Sequence, residues 1–564
     1  MGIGANIRNY INNNTSGILD ADIKEEKELV YFYHLSEMRK SLYNWYEFKE
    51  GSKLLEIGAG FGALTGLFCE RCGHVTAIAE NEFRAEAIRE RYKDRDNLEV
   101  MSFSLPGVTI NSDKDFYRAV SEDESRIDDF LGSFDDNDRY DYIILTGVLE
   151  QLSSGHGRFL EGLVRLLAAK GKMLIATENR YGLKYLCGEK EDVSGVPFLG
   201  VQGGSGDVGV GVQGHPFSRS ELLELLDRVG LTGHKLFYPL PDYRFPLQVY
   251  TDDYLPQKNI GERVLFYHDD NRSLIADEKK LYSDIIDNGV FPFVANSFLA
   301  ECMKGDREFG SVDSSGDVLS PISFVALTTD RGPEAALTTV IKGDMVEKRP
   351  LYSEGGKSIQ EVYRNVCEMK DRGLPVIEHE LKGDVISMPY ITAPALMDYM
   401  RTISDDRDKI AGIFEQLWTM ILQSSDEVPE SQNKILEYVE NKGLNWGPIL
   451  KKVYMEMMPM NCFYIDGKIY FFDQEFSREN FPAKYAMFRT ILYTYINIPE
   501  IENVLPIAEV KNKYGFEEAL WQIFMAEENR FVSFIRRLSD NRFFYDRLGV
   551  DEARMLDNAK RLLI

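Results

Sequence analysis

Lys53-Leu54-Leu55-Glu56-Ile57-Gly58-Ala59-Gly60-Phe61-Gly62 reads as a short strand that ends on an acid and runs into a tight turn built on alternate glycines. The strand delivers the carboxylate, and the glycines let the backbone bend sharply and approach a nucleoside-bearing ligand. Outward from this turn the pattern alternates. Ala63–Cys72 reads as a helix, and His74–Ala79 as a strand that ends on a second acid, Glu80. Glu82–Arg91 is again a helix, and Leu98–Phe103, Tyr140–Leu145 and Lys172–Ala176 are further strands. Strands and helices in alternation call for a parallel sheet covered on both faces. Upstream, Leu29, Phe32, Leu35, Met38, Leu42 and Trp45 recur at helical spacing, which predicts a helix over residues 23–48.

An acid at the end of the second strand can accept both hydroxyls of a ribose. That alone also suits a dinucleotide site. Three features favour S-adenosylmethionine: Glu56 precedes the glycines, Gly62 rather than a residue three beyond Gly60 completes the turn, and Tyr140–Leu145 follows as a strand. The stretch from Glu56 to Leu152 resembles the class I S-adenosylmethionine-dependent methyltransferase family. The resemblance implies a Rossmann-like α/β fold, with Glu56, Gly58, Gly60 and Gly62 around the methionine end of the cofactor and Glu80 on its ribose. Phe103 and Ser104 fall where the family often places an acid against adenine, and this sequence lacks that acid. Thr146 to Glu150 are implied to face the transferred methyl.

Methyl transfer is an in-line displacement, so positioning supplies much of the catalysis. A hydroxyl acceptor also needs a base, for which Glu150, His156 and Glu178 are the candidates by position; a phosphate or carboxylate acceptor needs none. Arg180 and Lys184, four residues apart after the fifth strand, are set to bind an anion, with a solvated helix face as the competing reading. Glu178–Tyr185, together with Phe237–Pro256, resembles methyltransferases of bacterial surface-polysaccharide clusters.

The chain of 564 residues is too long for one core. Its net charge of -26 argues against nucleic acids and anionic membranes as general partners. Cys69 and Cys72 form a C-x-x-C with no second pair at zinc spacing, so packing is expected of them. The acids between Asp113 and Asp138 lack a fixed ligand spacing and read as a solvated connection. Glu189–Gly214 is glycine-rich but lacks the Gly-Lys-Ser/Thr of a P-loop, leaving a lid or a surface insertion. There is no apolar run of membrane-spanning length and no leader-like start, so a cytoplasmic protein is expected.

In the second half, Val340-Ile341-Lys342 ends a strand with a lysine suited to nucleotide phosphates, and Glu361 or Glu368 on the next predicted helix is available to pair with it. Met388–Ile391 resembles a hinge between lobes. Glu456 and Asn461, followed by Asp473 and Glu475 after a further strand, match the kinase spacing of a base and Mg²⁺ ligands. The Asp-x-Glu resembles aminoglycoside and choline kinases. Two departures stand out: a glutamate replaces the usual aspartate at 456, and no glycine-rich loop precedes Lys342. Residues 1–255 are therefore expected to form the methyltransferase domain, 256–318 a helical linker, and 319–564 an α+β protein-kinase-like domain using ATP and Mg²⁺. This order resembles enzymes that terminate O-antigen chains, which implies a lipid-linked sugar or glycan acceptor and association with glycosyltransferases. The alternatives are a small-molecule or protein methyltransferase with a silent pseudokinase for docking, and a non-enzymatic assembly factor.

Overall fold

The computed structural model describes residues 2–14, 20–103, 124–135, 137–152, 154–191, 195–203, 214–268, 271–305, 319–440, 443–537, 542–546 and 550–561. The acids of 113–123, most of the glycine-rich stretch and Ser104 lie outside them. The chain divides into two compact units, Met1–Thr329 with Leu538–Ile564, and Asp330–Arg537.

In the first unit, β1 (Lys53–Ile57), β2 (His74–Ala79), β3 (Leu98–Ser102), β4 (Tyr140–Thr146) and β5 (Leu167–Glu178) form a parallel sheet in the order β3-β2-β1-β4-β5. The order reverses between β1 and β4, which opens a crevice beyond their carboxyl ends. β1 and β4 are runs of Leu and Ile buried on both faces, as a sheet with helices on each side requires. The unit continues with β6 (Gly233–Leu240), β7 (Gln248–Thr251), β8 (Ser297–Met303) and β9 (Ile322–Leu327). β8 is wedged antiparallel between β5 and β6, with Leu174 opposite Glu301 and Leu236 opposite Ala300.

This corrects the expected linker at 256–318. Every residue of β8 is buried, and Phe298, Ala300 and Cys302 belong to the core under the sheet. The expected second-domain boundary also moves. Phe544, 5% exposed, packs against Phe32, Phe245 and Tyr267 at 5.6, 5.2 and 5.3 Å between ring centroids, so the C-terminal segment belongs to the first unit.

The helix expected over 23–48 is broken. A helix spans Leu29–Leu35, then Ser36 turns extended and its hydroxyl accepts from Met38 N–H, starting a separate 3-10 turn over Glu37–Leu42. A short side chain that can cap makes Ser36 a natural break. Cys69 and Cys72 are buried, free thiols, and burial pushes Cys69 up to about 12, in line with a packing role.

The second unit begins with an antiparallel sheet, β10 (Leu337–Lys342), β11 (Met345–Pro350), β12 (Glu380–Lys382) and β13 (Val385–Pro389), in the order β10-β11-β13-β12. The Gly356–Asp371 helix lies between β11 and β12 in sequence. Beyond the Arg407–Gln423 helix come β14 (Glu427–Val428), β15 (Ile449–Tyr454), β16 (Cys462–Ile465), β17 (Lys468–Phe471) and β18 (Ser477–Pro482). Helices Ala483–Asn497 and Glu518–Ile535 close a core that includes Trp446, Tyr485, Phe488 and Phe524. The unit is α+β. No described helix is long and apolar enough to cross a membrane.

Candidate functional site

The crevice of the first unit is lined by the ends of β1, β2 and β4. Gly58, Gly60 and Gly62 take φ of +79°, +58° and +80°, a conformation that L side chains rarely adopt. The Gly58 and Ala59 amides donate to Ile78 O at 3.1 and 2.9 Å, which ties the turn to the end of β2. The turn is closely covered. A Cβ on Gly58 would sit 2.4 Å from Val148 Cγ2, and one on Gly60 3.3 Å from the His34 ring. Glu56 is buried and accepts from Thr65 Oγ1 at 2.6 Å, at the start of the Thr65–Arg71 helix. Burial pushes its carboxyl up to about 7, with Thr65 pulling the other way and the Glu80 charge adding to the rise.

Glu80 follows β2 and is 4% exposed. Arg84 Nη1 lies 3.2 Å from its Oε1, and the Arg84 guanidinium sits 5.0 Å over the Phe61 ring. The other oxygen, Oε2, has no hydrogen-bond partner among the described residues. A buried carboxylate oxygen left unsatisfied is costly. Beside the left-handed glycine turn, it fits a ligand that donates a hydroxyl, as the ribose of S-adenosylmethionine would.

At the end of β4, Thr146 Oγ1 lies 2.8 Å from Tyr43 Oη. Gly147 follows at φ +68°, and a Cβ there would sit 2.6 Å from Tyr243 Oη and 3.3 Å from Tyr33 Oη. Glu150 is buried and accepts from Thr177 Oγ1 at 3.0 Å, Glu178 N–H at 3.4 Å and Tyr243 Oη at 3.5 Å. Glu150 is therefore placed behind the Gly147 turn, linked to it through Tyr243.

Other sequence candidates are engaged elsewhere. His156 Nε2 meets Leu152 O at 2.9 Å and its ring packs edge-on against Phe217, as expected of a residue that ties off the start of a helix. Glu178 pairs with Lys184 at 3.2 Å and accepts from Tyr185 Oη at 2.9 Å. Lys184 also meets Asp242, and Arg180 meets Glu221 at 3.1 Å. The expected Arg180/Lys184 anion site is thus neutralised by the chain's own carboxylates. Phe103 packs on Phe130 at 5.0 Å, with its amide donating to Ala79 O, so its half-buried ring lies against the core.

Sequence reasoning missed Tyr33, His34 and Arg39 from the N-terminal segment, and Tyr243 and Arg244 from the turn after β6. Arg39 Nη1 donates to Tyr243 O and Arg244 O at 3.2 and 2.7 Å, and its guanidinium lies 4.1 Å over the Tyr33 ring. The available signal was a polar, aromatic Asp-Tyr-Arg held between Pro241 and Pro246.

In the second unit the lysine facing the Asp-x-Glu is Lys348 and not Lys342. Lys348 Nζ contacts Asp473 and Glu475, and Arg331 also contacts Glu475. Lys342 ends β10, and the chain turns at Gly343 into β11, the strand that leads to the Gly356–Asp371 helix. Glu361 pairs with Arg364 and with Lys452 at 3.4 Å, and Glu368 with Lys452 at 2.7 Å, so neither meets the site lysine. It is Asn365 of that helix that donates to Gln474 O at 2.8 Å.

Asp473 has φ +55°, and Glu456 accepts from Glu475 N–H at 2.6 Å. Burial, then the charges of Glu475 and Asp473, push Glu456 up to about 8. Burial opposes ionisation of Glu475, yet Lys348 and Arg331 hold it down to about 2. Asn461 closes a turn in which its carbonyl accepts from Phe472 N–H at 3.1 Å. Among the described residues no group of three or more His, Cys, Asp or Glu is set to hold a metal ion. Asp473 and Glu475 converge on the Lys348 ammonium, so as placed these two carboxylates do not fit the expected Mg²⁺ site.

No family model matches the chain, and no curated protein matches it. Among solved structures it is similar to the N-methyltransferase NodS from Bradyrhizobium japonicum WM9 in complex with S-adenosyl-L-homocysteine, at 18% identity over 23% of this chain and 54% of that one, TM-score 0.18. It is also similar to the CurJ carbon methyltransferase, at 13% identity over 46% and 49%, TM-score 0.25. A SAM-dependent methyltransferase from Archaeoglobus fulgidus matches at 14% identity over 48% and 92%, TM-score 0.28. The chain spans about half the length of the NodS and CurJ chains. Likenesses this slight leave the functional reading to the geometry.

Proposed function

We propose that the first unit is an S-adenosylmethionine-dependent methyltransferase. The observation that carries this reading is the buried, unpartnered Glu80 Oε2 beside the left-handed Gly58–Gly62 turn, at the point where the strand order reverses. Glu56 argues against a dinucleotide. Its carboxylate stands at the start of the Thr65–Arg71 helix, where a pyrophosphate would otherwise lie. When bound, the cofactor supplies an electrophilic methyl. The chain would hold its ribose with Glu80, surround its other end with Glu56 and the glycines, and present the acceptor between Tyr33, Tyr243 and Gly147. Binding of S-adenosylhomocysteine by calorimetry, together with turnover of labelled S-adenosylmethionine, tests the reading. A protein that binds neither sinks it.

For the acceptor we adopt a bacterial surface glycan or its lipid-linked precursor, met in the cytoplasm alongside glycosyltransferases. The support is the sequence resemblance at Glu178–Tyr185 and Phe237–Pro256. Incubating the protein with labelled cofactor and a lipid-linked glycan extract tests it, and label confined to protein or to small metabolites refutes it.

A second reading concerns the other unit. Lys348, Asp473, Glu475 and Glu456, the last held near pKa 8, are brought together in the segment that carries the kinase-like spacing. Because the carboxylates as placed do not fit a metal, a docking role with silent chemistry is the reading they support over phosphotransfer. Thermal unfolding with and without MgATP separates the two. A shift in wild type that Asp473→Asn abolishes restores the kinase, and no shift leaves docking.

A further inference from the structure

Among the described residues, the buried cations of the first unit each meet a carboxylate, with one exception. Arg84 meets Glu80, Lys184 meets Glu178 and Asp242, Lys235 meets Asp253, and Arg244 meets Asp242. Arg39 is 2% exposed, yet among the described residues no carboxylate lies within ion-pair distance of it, and its Nε makes no hydrogen bond. A guanidinium stays charged at any accessible pH, and a buried charge without a counter-charge is strongly disfavoured. The side chain is nonetheless held firmly. Nη1 is fixed by the Tyr243 and Arg244 carbonyls, and the plane lies on the Tyr33 ring. Tyr33 and Tyr243 are the rings whose hydroxyls close on Gly147 at the end of β4, across β1 from Glu80. Glu56 feels the Arg39 charge from beyond ion-pair distance, so a direct counter-charge, which Arg39 lacks among the described residues, would be supplied where the acceptor and the non-nucleoside end of the cofactor meet.

We propose that Arg39 is the seat for a ligand oxyanion, a carboxylate or a phosphate received through its Nε edge. The inference rests on the methyltransferase reading and adds to it the charge class of the ligand. Two sources offer that chemistry: the amino-acid carboxylate of the cofactor, and an acidic group on the acceptor. An acidic acceptor would need no base, so Glu150 would serve to position Tyr243.

Calorimetric titration of the full chain separates these sources, using wild type, Arg39→Met and Arg39→Lys. The probes are S-adenosylhomocysteine, 5′-methylthioadenosine, which keeps the nucleoside without the amino acid, and inorganic phosphate added to the homocysteine complex. Arg39→Met is expected to weaken one anionic probe by roughly 10- to 100-fold while leaving methylthioadenosine within about threefold. Arg39→Lys keeps the charge and should lose less; where the methionine variant fails to fold, the lysine variant carries the comparison. Loss on S-adenosylhomocysteine assigns the seat to the cofactor carboxylate, and loss on phosphate alone assigns it to the acceptor. Unchanged affinities for both anionic probes, or equal losses on all of them with methylthioadenosine included, overturn the proposal. A wild type that binds phosphate through Arg39 but neither nucleoside would leave the seat standing and remove the methyltransferase reading.

Discussion

Glu80→Gln isolates the atom on which the cofactor assignment depends. The substitution keeps the volume and leaves one oxygen to meet Arg84, which lies 3.2 Å from Oε1 in the native chain. It removes the negative charge and the acceptor capacity of Oε2, which has no hydrogen-bond partner among the described residues. A hydrogen bond to a charged group contributes about 1.5–3 kcal/mol, so losing the charge should weaken nucleoside binding by roughly 10- to 100-fold. The free protein is expected to lose stability as well, because Arg84 is left buried without its carboxylate, so the ligand response of each protein is read against its own unliganded state. The same expectation can be read as ligand-induced stabilisation. At a ligand concentration of about 100 times the wild-type dissociation constant, wild type gains about 2.7 kcal/mol. A variant bound 100-fold more weakly gains only about 0.4 kcal/mol under the same conditions. Calorimetry with S-adenosylhomocysteine gives the affinity, and thermal unfolding with and without ligand checks it. An affinity within about threefold of wild type would refute the ribose role of Glu80, since an interaction of the stated size cannot be lost at so small a cost.

Gly58→Ala should destabilise the first unit by about 1–3 kcal/mol, because φ is +79° and the new methyl would meet Val148 Cγ2 at 2.4 Å; denaturant unfolding measures it, and a neutral result would show that the turn is looser than described. Phe544→Ala should cost roughly 3–5 kcal/mol if the C-terminal segment is part of the first core. A loss under about 1 kcal/mol would detach that segment from the unit. For pH, Glu456 has a folded pKa near 8, above its ordinary 4.5, so its contribution is present in full below about pH 4.5 and is lost as pH rises through 8. Glu475 runs the other way: held near 2, it adds stability above about pH 4.5 that is lost as pH falls through 2. Unfolding measured across pH 5–9 should therefore show a declining component that Glu456→Gln removes, and identical slopes in the two proteins would contradict it.

What lies close together in sequence was legible. Strand, glycine turn and helix from Lys53 to Arg71 are neighbours in the chain, and the left-handed turn is a property of glycine itself. Glu80 could be picked out because it ends the next strand of the same βαβ unit. The acids and amides of 456–475 were likewise found in one short stretch, since they flank a β16–β17 hairpin. Readings that needed register or distance failed. Lys342 was singled out, and Lys348 not considered, because only the turn at Gly343 decides which strand of the hairpin leads to the helix. Residues 256–318 looked like a linker because β8 finds its partners, β5 and β6, far away in sequence.

Local backbone chemistry and hydrophobic period were enough to specify the parallel sheet, the glycine turn, Glu56 and Glu80, the end of the crevice proposed for the nucleoside. The end proposed for the acceptor depends on contacts that form only in the folded chain. Arg39 reaches the carbonyls of Tyr243 and Arg244 across more than 200 positions of chain, and no periodicity encodes such a contact. The tertiary structure also decided that Arg180 and Lys184 are neutralised while Arg39 meets no carboxylate at ion-pair distance among the described residues, because charge compensation depends on which side chains meet in the fold.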